Sequence, residues 1–289
     1  MSDLASLISG LISEEKIDTN TLKRSPSRTL DVSESVWHMT QGNQSNKSVD
    51  FHLFCLPYIG MPTHLFKNWV FPGVSVWSAF YPLAPCTMKD LVSMLAKGVS
   101  SVVQEKAAPF AILGHSFGSL LAIDIYQYLY DHKMPLPSVL IVCSMYSPLK
   151  VAEKNQPTPG VQSLSDIKND YVFLTQLRKK GFQIEPDIVI ASQELNATIE
   201  QLRYLYGLYE RYECSPDMKI DCPIEVMGGV ADYMITPSDI HEWSKCTTMS
   251  AHVTLFPGDH FFIEKSGSRV FAKVISILMS LKYPDGDEQ

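Results

Sequence analysis

A serine flanked by two glycines stands between an apolar run and a segment of helical apolar spacing. The run Ala111–Leu113 leads into Gly114-His115-Ser116-Phe117-Gly118, and the helix-spaced segment begins at Leu120. A serine at a sharp strand-to-helix turn is held in a strained backbone conformation, and flanking glycines let neighbouring chains approach closely. The order of apolar run, glycine-flanked serine and helix-spaced segment predicts a sharp strand-to-helix turn that places the Ser116 hydroxyl in a cleft. The alternative is an ordinary glycine-rich turn.

Such a turn would make Ser116 a nucleophile. The Phe117 N–H would lie at the start of the next helix, where the dipole favours negative charge, and would form half of an oxyanion hole. A serine hydroxyl is too weak an acid to attack unaided, so it needs an imidazole base supported by a carboxylate. The motif therefore predicts an acyl-enzyme, with the partners following in the order serine, acid, histidine.

Among the histidines after Ser116, His260 has the most suitable setting. It lies in Pro257-Gly258-Asp259-His260-Phe261-Phe262, directly after a strand-like run, where a turn would aim the ring at the edge of a sheet. The other candidates, His132, His241 and His252, have helical or strand-start settings typical of surface or capping residues. We predict that His260 is the base.

The predicted acid is Asp232. It falls in the loop after the run Ile224–Met227, which two glycines end. A simple Asx-turn is the alternative role for this residue. The competing carboxylates lie before or within the strand, at a helix start, or beside the histidine: Asp221, Glu225, Asp239 and Asp259.

The second oxyanion donor is expected in the loop after the first strand of the domain, Pro57-Tyr58-Ile59-Gly60-Met61-Pro62. We predict the backbone N–H of Ile59, with Gly60 as its competitor. A backbone group carries this role, so side-chain identity does not decide between them.

Apolar runs alternate with helix-spaced segments along most of the chain. Continuous runs suit strands that are buried on both faces, and alternation with helices indicates a mostly parallel α/β sheet. The predicted strands are 51–56, 74–81, 110–113, 139–144, 224–227 and 253–256, and the predicted helices are 88–104, 120–130 and 270–281. The chain has 289 residues, of which 45% are hydrophobic, enough for one large core. We expect one domain over residues 49–285.

The alternation stops between about 152 and 216, where apolar spacing is helical. An insertion there, above the carboxyl ends of the strands, would form a lid over a substrate channel. The alternative is a helical layer with no gating role.

Residues 1–48 are predicted to form an N-terminal arm. Apolar residues at helical intervals indicate a short amphipathic helix near residues 3–15, and residues 16–48 have the polar composition of a linker. The helix would pack on its own domain, remain disordered, or dock a partner.

The net charge and the positions of the cysteines limit the partners and the compartment that we expect for the protein. A net charge of −7 and a pI near 5.6 argue against nucleic acid or an anionic membrane as the main partner. The six cysteines show no Cys-x-x-Cys spacing, and Cys55 and Cys143 lie in apolar runs where they behave as small buried hydrophobes. With neither a signal peptide nor a membrane span indicated at the N-terminus, we expect a soluble cytoplasmic monomer.

Four blocks together resemble the type II thioesterases of polyketide and nonribosomal peptide synthesis, a family that includes the animal medium-chain acyl-carrier-protein thioesterase. They are Pro57-Tyr58-Ile59-Gly60, Gly114-His115-Ser116-Phe117-Gly118, Gly228-Gly229 with Asp232, and Pro257-Gly258-Asp259-His260-Phe261-Phe262. The resemblance covers roughly residues 50–282. It implies an α/β-hydrolase fold with a helical lid and a triad of Ser116, Asp232 and His260. It also implies an acyl or peptidyl carrier protein as partner, a thioester on a phosphopantetheine arm as substrate, and no metal or redox cofactor.

Two blocks depart from the family pattern. The family commonly reads Pro-His-Ala-Gly-Gly where this chain has Pro57-Tyr58-Ile59-Gly60-Met61, so a bulkier residue is expected to narrow the acyl entrance. The family also carries Leu-Arg-Ala-Asp-Phe where this chain has Leu202-Arg203-Tyr204-Leu205-Tyr206. Since leucine replaces the acid there, carrier docking or lid packing is expected to differ.

The same three side chains also suit other activities. A carboxylesterase or lipase would act on oxygen esters, and an acyltransferase or cyclase would pass the acyl group to an alcohol or amine. A hydrolase fold without catalysis would bind a ligand or a synthase partner instead. Acyl chain length is not readable, because each buried methylene contributes only about 0.8 kcal/mol.

Overall fold

Seven strands form one sheet within the residues that the computed structural model describes, 36–40, 49–60, 65–83, 86–156, 160–182 and 193–282. Their order is β1-β3-β2-β4-β5-β6-β7; β1 pairs antiparallel with β3 and the other pairs are parallel. The strands are β1 (Trp37–Met39), β2 (Phe51–Leu56), β3 (Val74–Ala79), β4 (Phe110–His115), β5 (Val139–Cys143), β6 (Ile224–Gly229) and β7 (Ala251–Phe256).

The central strands have the continuous apolar character that the sequence shows because helices cover both faces of the sheet. Every residue of β2, β4 and β5 is buried. Phe54 and Ile112 belong to the core on one face, whereas their neighbours Leu53 and Leu113 belong to the core on the other. This arrangement confirms the predicted α/β class and the mostly parallel sheet.

The helices divide between the two faces. They are α1 (Met88–Glu105), α2 (Phe117–Asp131), α3 (Pro148–Lys154), α4 (Asp170–Lys179), α5 (Gln193–Glu210), α6 (Pro237–His241), α7 (Phe262–Lys265) and α8 (Gly267–Lys282), with single 3₁₀ turns at Leu164–Asp166 and Glu242–Cys246. Apolar residues of α1 and α2 pack in one core, and those of α8 pack in the other. The predicted helices 88–104, 120–130 and 270–281 correspond to these three.

Strand β1 corrects the predicted linker, because residues 37–39 belong to the sheet. Trp37 is 3% exposed, and its indole Nε1 donates to the Leu95 carbonyl oxygen at 3.0 Å. A strand of three residues is too short to show an apolar period, and the residues around it are mostly polar. The sequence pattern therefore did not indicate a strand here. The helix predicted near residues 3–15 lies outside the described residues.

A helical insertion, which we define as Pro148–Glu210, connects β5 to β6. It begins before the predicted residue 152 because the Ser147 side chain caps α3, accepting from the Lys150 N–H at 3.3 Å. Within it Leu205 is 2% exposed, so the leucine that departs from the family pattern is a core residue.

The neighbouring Arg203 forms ion pairs with carboxylates at other positions of the insertion. The buried guanidinium pairs with Asp170 and Glu200, each at 2.6 Å, and lies over the Phe173 ring. The packing of this segment therefore does not depend on an acid at position 205.

All six cysteines are free, and Cys55 and Cys143 are completely buried, as predicted for small hydrophobes. No helix within the described ranges combines the length and the apolar character needed to cross a bilayer.

Candidate active site

Ser116 lies at the strand-to-helix turn between β4 and α2. Its φ is 52° and its ψ is −120°, a strained conformation for a residue with a side chain. A Cβ added at Gly114 would lie 2.2 Å from the Gly118 carbonyl oxygen, and one added at Gly118 would lie 2.2 Å from the Leu56 carbonyl oxygen. Both glycines are therefore needed for the close approach of the chains, and the glycine-flanked motif has a steric cause.

Ser119, which the sequence analysis did not single out, ties this turn to the sheet. Its buried hydroxyl donates to the Gly114 carbonyl oxygen at 2.8 Å and accepts from the Cys143 N–H at 3.1 Å. The Ser116 N–H donates to the Cys143 carbonyl oxygen at 2.8 Å. The ends of β4 and β5 thus hold the turn in place. In the sequence, the one indication of this role for Ser119 is that it is a polar residue at an otherwise apolar helix start.

The structure brings Ser116, His260 and Asp232 into one hydrogen-bonded series. His260 Nε2 lies 3.1 Å from Ser116 Oγ, and His260 Nδ1 lies 3.0 Å from Asp232 Oδ2. His260 is 3% exposed and Asp232 is 7% exposed. The three come from the loops after β4, β7 and β6, which all end at the same edge of the sheet.

Asp232 is held as a carboxylate. Burial alone would raise its pKa, but the hydrogen bond and charge of His260 and the N–H groups of Ile235 and Met234 outweigh burial, and the pKa is lowered. These two N–H groups donate to Oδ1 at 3.0 and 2.8 Å. The carboxylate therefore presents Oδ2 to the imidazole as an acceptor.

The competing candidates have other partners. His252 pairs with Glu225 at 3.1 Å, and the His132 ring contacts the Tyr128 carbonyl oxygen. The carboxylates accept from nearby side chains or cap a helix: Asp221 from Thr248, Asp259 from Lys265, and Asp239 at the start of α6. His241 lies in the last turn of α6. Within the described chain, none of these residues forms a hydrogen bond with the Ser116 hydroxyl, which has His260 as its partner.

The two predicted oxyanion donors lie beside Ser116. Ile59 and Phe117 line the same pocket, and neither N–H donates to another group in the part of the chain that is described. Gly60, the competitor, has a φ of +81° and is exposed. Of the two candidates, Ile59 is the residue on the pocket wall.

Tyr58 adds the bulk that the sequence predicts for this loop. It also lines the pocket, and its ring packs against His115 and Phe261 with centroid distances of 5.4 and 5.2 Å. Its hydroxyl donates to the Glu264 carboxylate, a long-range contact with no signal in the sequence. The tyrosine is therefore fixed at the edge of the site.

A cavity of about 440 Å³ is lined by Ser116 and by residues of the helical insertion. Its wall is strongly aromatic and includes Tyr146, Phe182, Tyr206, Tyr209, Tyr233 and Phe261. A cavity of this size matches the usual range for small-molecule sites, about 300–1,000 Å³.

His115, the residue before the serine, supports the chain at His260. It is completely buried, and its Nε2 donates to the His260 carbonyl oxygen at 2.9 Å. Its Nδ1 is buried with no partner in the described chain. Burial and the neighbouring His260 lower the pKa of His115 from 6.5 to about 3, so the ring is neutral at neutral pH.

This lowered pKa predicts an acid-sensitive contribution to stability. Below pH 6.5 the unfolded chain gains a proton on His115 while the folded chain does not, so stability that is present above 6.5 is lost as the pH falls toward 3. Between pH 6.5 and 5 the free energy of unfolding of the wild type should fall by about 2 kcal/mol more than that of His115→Gln, which keeps a donor near Nε2. Urea titrations at the two pH values measure this, and identical losses would contradict it.

Comparisons with known proteins agree with the geometry. A family model described as Thioesterase domain matches residues 51–279. The chain is 25% identical over 235 residues to the gramicidin S biosynthesis protein GrsT of Aneurinibacillus migulanus, covering 76% of this chain and 86% of that protein. It is 29% identical over 242 residues to the medium-chain S-acyl fatty acid synthase thioesterase of Rattus norvegicus, covering 79% and 87%.

A solved structure also matches. The crystal structure of ClbQ from the colibactin NRPS/PKS pathway superposes with a TM-score of 0.65 at 25% identity, over 82% of this chain and 100% of that one. The resemblance seen in the four sequence blocks is thereby confirmed, together with the α/β-hydrolase fold. The chain belongs to the thioesterase family and is a serine thioesterase enzyme.

Proposed function

We propose that this enzyme hydrolyses acyl thioesters carried on the phosphopantetheine arm of an acyl or peptidyl carrier protein, and releases a free acid. The observation that carries the proposal is the series from Ser116 Oγ to His260 Nε2 at 3.1 Å and from His260 Nδ1 to Asp232 Oδ2 at 3.0 Å, with Ser116 and His260 on the wall of a cavity. The relatives named for gramicidin S synthesis and for fatty acid synthase support a carrier-bound substrate.

In the proposed mechanism His260 removes the proton as Ser116 Oγ attacks the thioester carbonyl carbon. The negative charge that develops on the carbonyl oxygen is stabilised by the N–H groups of Ile59 and Phe117. Collapse of the tetrahedral intermediate breaks the carbon–sulfur bond, the departing sulfur takes the proton from His260, and an acyl-Ser116 ester remains. Water, deprotonated by His260, then releases the acid and restores the serine.

The thioester suits this site because a thiolate leaves easily. Thiols have a pKa near 8.5, so expulsion needs less help from a general acid than expulsion of an amine. Each step uses side chains and backbone groups of the chain itself and calls on no metal or redox group.

The proposed domain organisation follows from the sheet and the cavity. The catalytic domain would comprise strand β1 and residues 49–285, with a lid that begins at Pro148 and ends near the predicted residue 216, and the segment before β1 would form the arm. The insertion supplies one side of the cavity through Phe182, Tyr206 and Tyr209. Its displacement would therefore change access to Ser116.

Comparison of matched substrates tests the proposal. The same acyl group would be presented as a carrier thioester, as a p-nitrophenyl ester and as an ethyl ester, with the products identified by mass spectrometry. We expect free acid from the carrier thioester at a kcat/KM well above that for the ethyl ester. Fast ester hydrolysis with an inert carrier thioester would identify a carboxylesterase, and an acylated alcohol or amine as the product would identify an acyltransferase.

A further inference from the structure

The mouth of the cavity is basic although the whole chain is acidic. The net charge of the chain is −7, yet the described lining of the cavity includes Lys154, Lys179 and Lys180 and only one carboxylate, Glu210. The lysines come from the end of α3 and the end of α4, so two separate helices of the insertion place positive charge at one opening.

The carboxylate on this wall does not neutralise the lysines. Glu210 accepts from the N–H groups of Leu164 and Ser165 at 2.8 and 3.0 Å and from the Ser165 hydroxyl at 2.7 Å. Lys179 and Lys180 are exposed and form no ion pair with a described residue. Among the described residues, therefore, no carboxylate neutralises the charge of these two lysines.

Lys154 is also oriented on the wall. Its Nζ lies 4.6 Å from the centroid of the Tyr146 ring, and the Tyr146 hydroxyl donates to the Met234 carbonyl oxygen at 2.8 Å. Lys150, one turn earlier on α3, instead pairs with Glu153 at 2.9 Å and does not line the cavity. The chain thus contains a matched lysine outside the patch.

We infer that Lys154, Lys179 and Lys180 bind the phosphate of the pantetheine arm while the acyl group lies beside Ser116. This inference rests on the proposed function, since it names what holds the other end of the same substrate. A phosphate carries the opposite charge and several acceptor oxygens, and lysine ammonium groups bind it as point charges with three donors each. Asn155 lines the same cavity, and its side-chain Nδ2 donates to the Tyr209 carbonyl oxygen.

Four substrates that share the same acyl group separate the contribution of the phosphate from that of the rest of the carrier. They are the thioesters of N-acetylcysteamine, pantetheine, 4′-phosphopantetheine and the holo-carrier protein; the first two lack phosphate. The variant K154Q/K179Q/K180Q should lose about 10-fold or more in kcat/KM on the two substrates with phosphate, since exposed ion pairs contribute up to about 1 kcal/mol each. The triple variant should keep the wild-type kcat/KM on the two substrates without phosphate. The control variant Lys150→Gln should keep the wild-type kcat/KM on all four substrates.

The other outcomes would overturn the inference. Loss on the carrier protein alone would assign the lysines to acidic residues of the carrier surface, and equal loss on all four substrates would assign them to the shape or stability of the pocket. Replacing the three lysines by arginine, which keeps the charge, should preserve the discrimination. The positions at the end of α4 also complement the helix dipole, but that role would appear in the unfolding free energy and not in the choice of substrate.

A binding measurement separates failure of this inference from failure of the proposed function. Calorimetry of the wild-type protein with 4′-phosphopantetheine and with pantetheine requires no turnover. We expect tighter binding of the phosphorylated compound, and this preference should disappear in the K154Q/K179Q/K180Q variant and weaken with added salt. Equal binding of the two compounds would contradict phosphate recognition even if carrier thioesters are hydrolysed.

Discussion

Ser116→Ala should lower kcat for thioester hydrolysis by about a million-fold, the scale on which serine hydrolases lose activity without their nucleophile. The hydroxyl is the only group removed, and His260 Nε2, which lies 3.1 Å from Ser116 Oγ, then has no proton to accept from a nucleophile. The variant should remain folded, because alanine meets the same backbone strain at φ 52° as the serine does. Steady-state hydrolysis of the carrier thioester, with circular dichroism as a check on folding, measures the effect.

Ser144→Ala is the matched control. Ser144 also has a positive φ, 46°, also lies at the end of a central strand, and its buried hydroxyl has no hydrogen-bond partner within the described chain. Its replacement should leave kcat within a few-fold of wild type. Comparable losses in the two variants would mean that Ser116 acts through the conformation of the turn and not as a nucleophile.

Asp232→Asn should lower kcat by about ten-thousand-fold, as the same change does in serine proteases. Because two backbone N–H groups donate to Oδ1, the amide oxygen of asparagine would stay at that position and its NH₂ group would face His260. An NH₂ donor requires His260 Nδ1 to accept, which places the ring proton on Nε2. The imidazole would then be unable to take the proton of Ser116.

Asp259→Asn provides the comparison for this variant. Asp259 adjoins His260, but its carboxylate accepts from the Phe261 N–H and from Lys265, away from the imidazole. We expect kcat within a few-fold of wild type. If Asp232→Asn kept more than a tenth of wild-type activity, or if Asp259→Asn lost as much, the proposed role of Asp232 would be wrong.

The sheet was predictable from sequence because its central strands are buried on both faces. That burial requires the continuous apolar runs at Phe51–Leu56 and Val139–Cys143, which can be read without knowledge of their neighbours. The edge strand Trp37–Met39 has no such run, since only its pairing with β3 and the buried Trp37 ring hold it. Its position depends on partners that are distant in sequence.

The same distinction applies to the site. Ser116, Asp232 and His260 each follow a strand-like run at a turn, so local patterns placed them at one sheet edge. The contacts that support them are long-range: His115 with the His260 carbonyl oxygen, and Tyr58 with Glu264. The lysines at the cavity mouth come from α3 and α4 and lie near one another only in the folded chain. The spacing of Lys154 and Lys179 in the sequence does not indicate this proximity.

The most direct test of the central claim is labelling with a fluorophosphonate, which reacts with an activated serine and is not released by water. After incubation and proteolysis, mass spectrometry should locate one phosphonyl group on the peptide that contains Ser116, and the labelled fraction should equal the fraction of thioesterase activity lost. Labelling at another residue, or no labelling of an enzyme that still hydrolyses the thioester, would contradict the claim that Ser116 carries the acyl group.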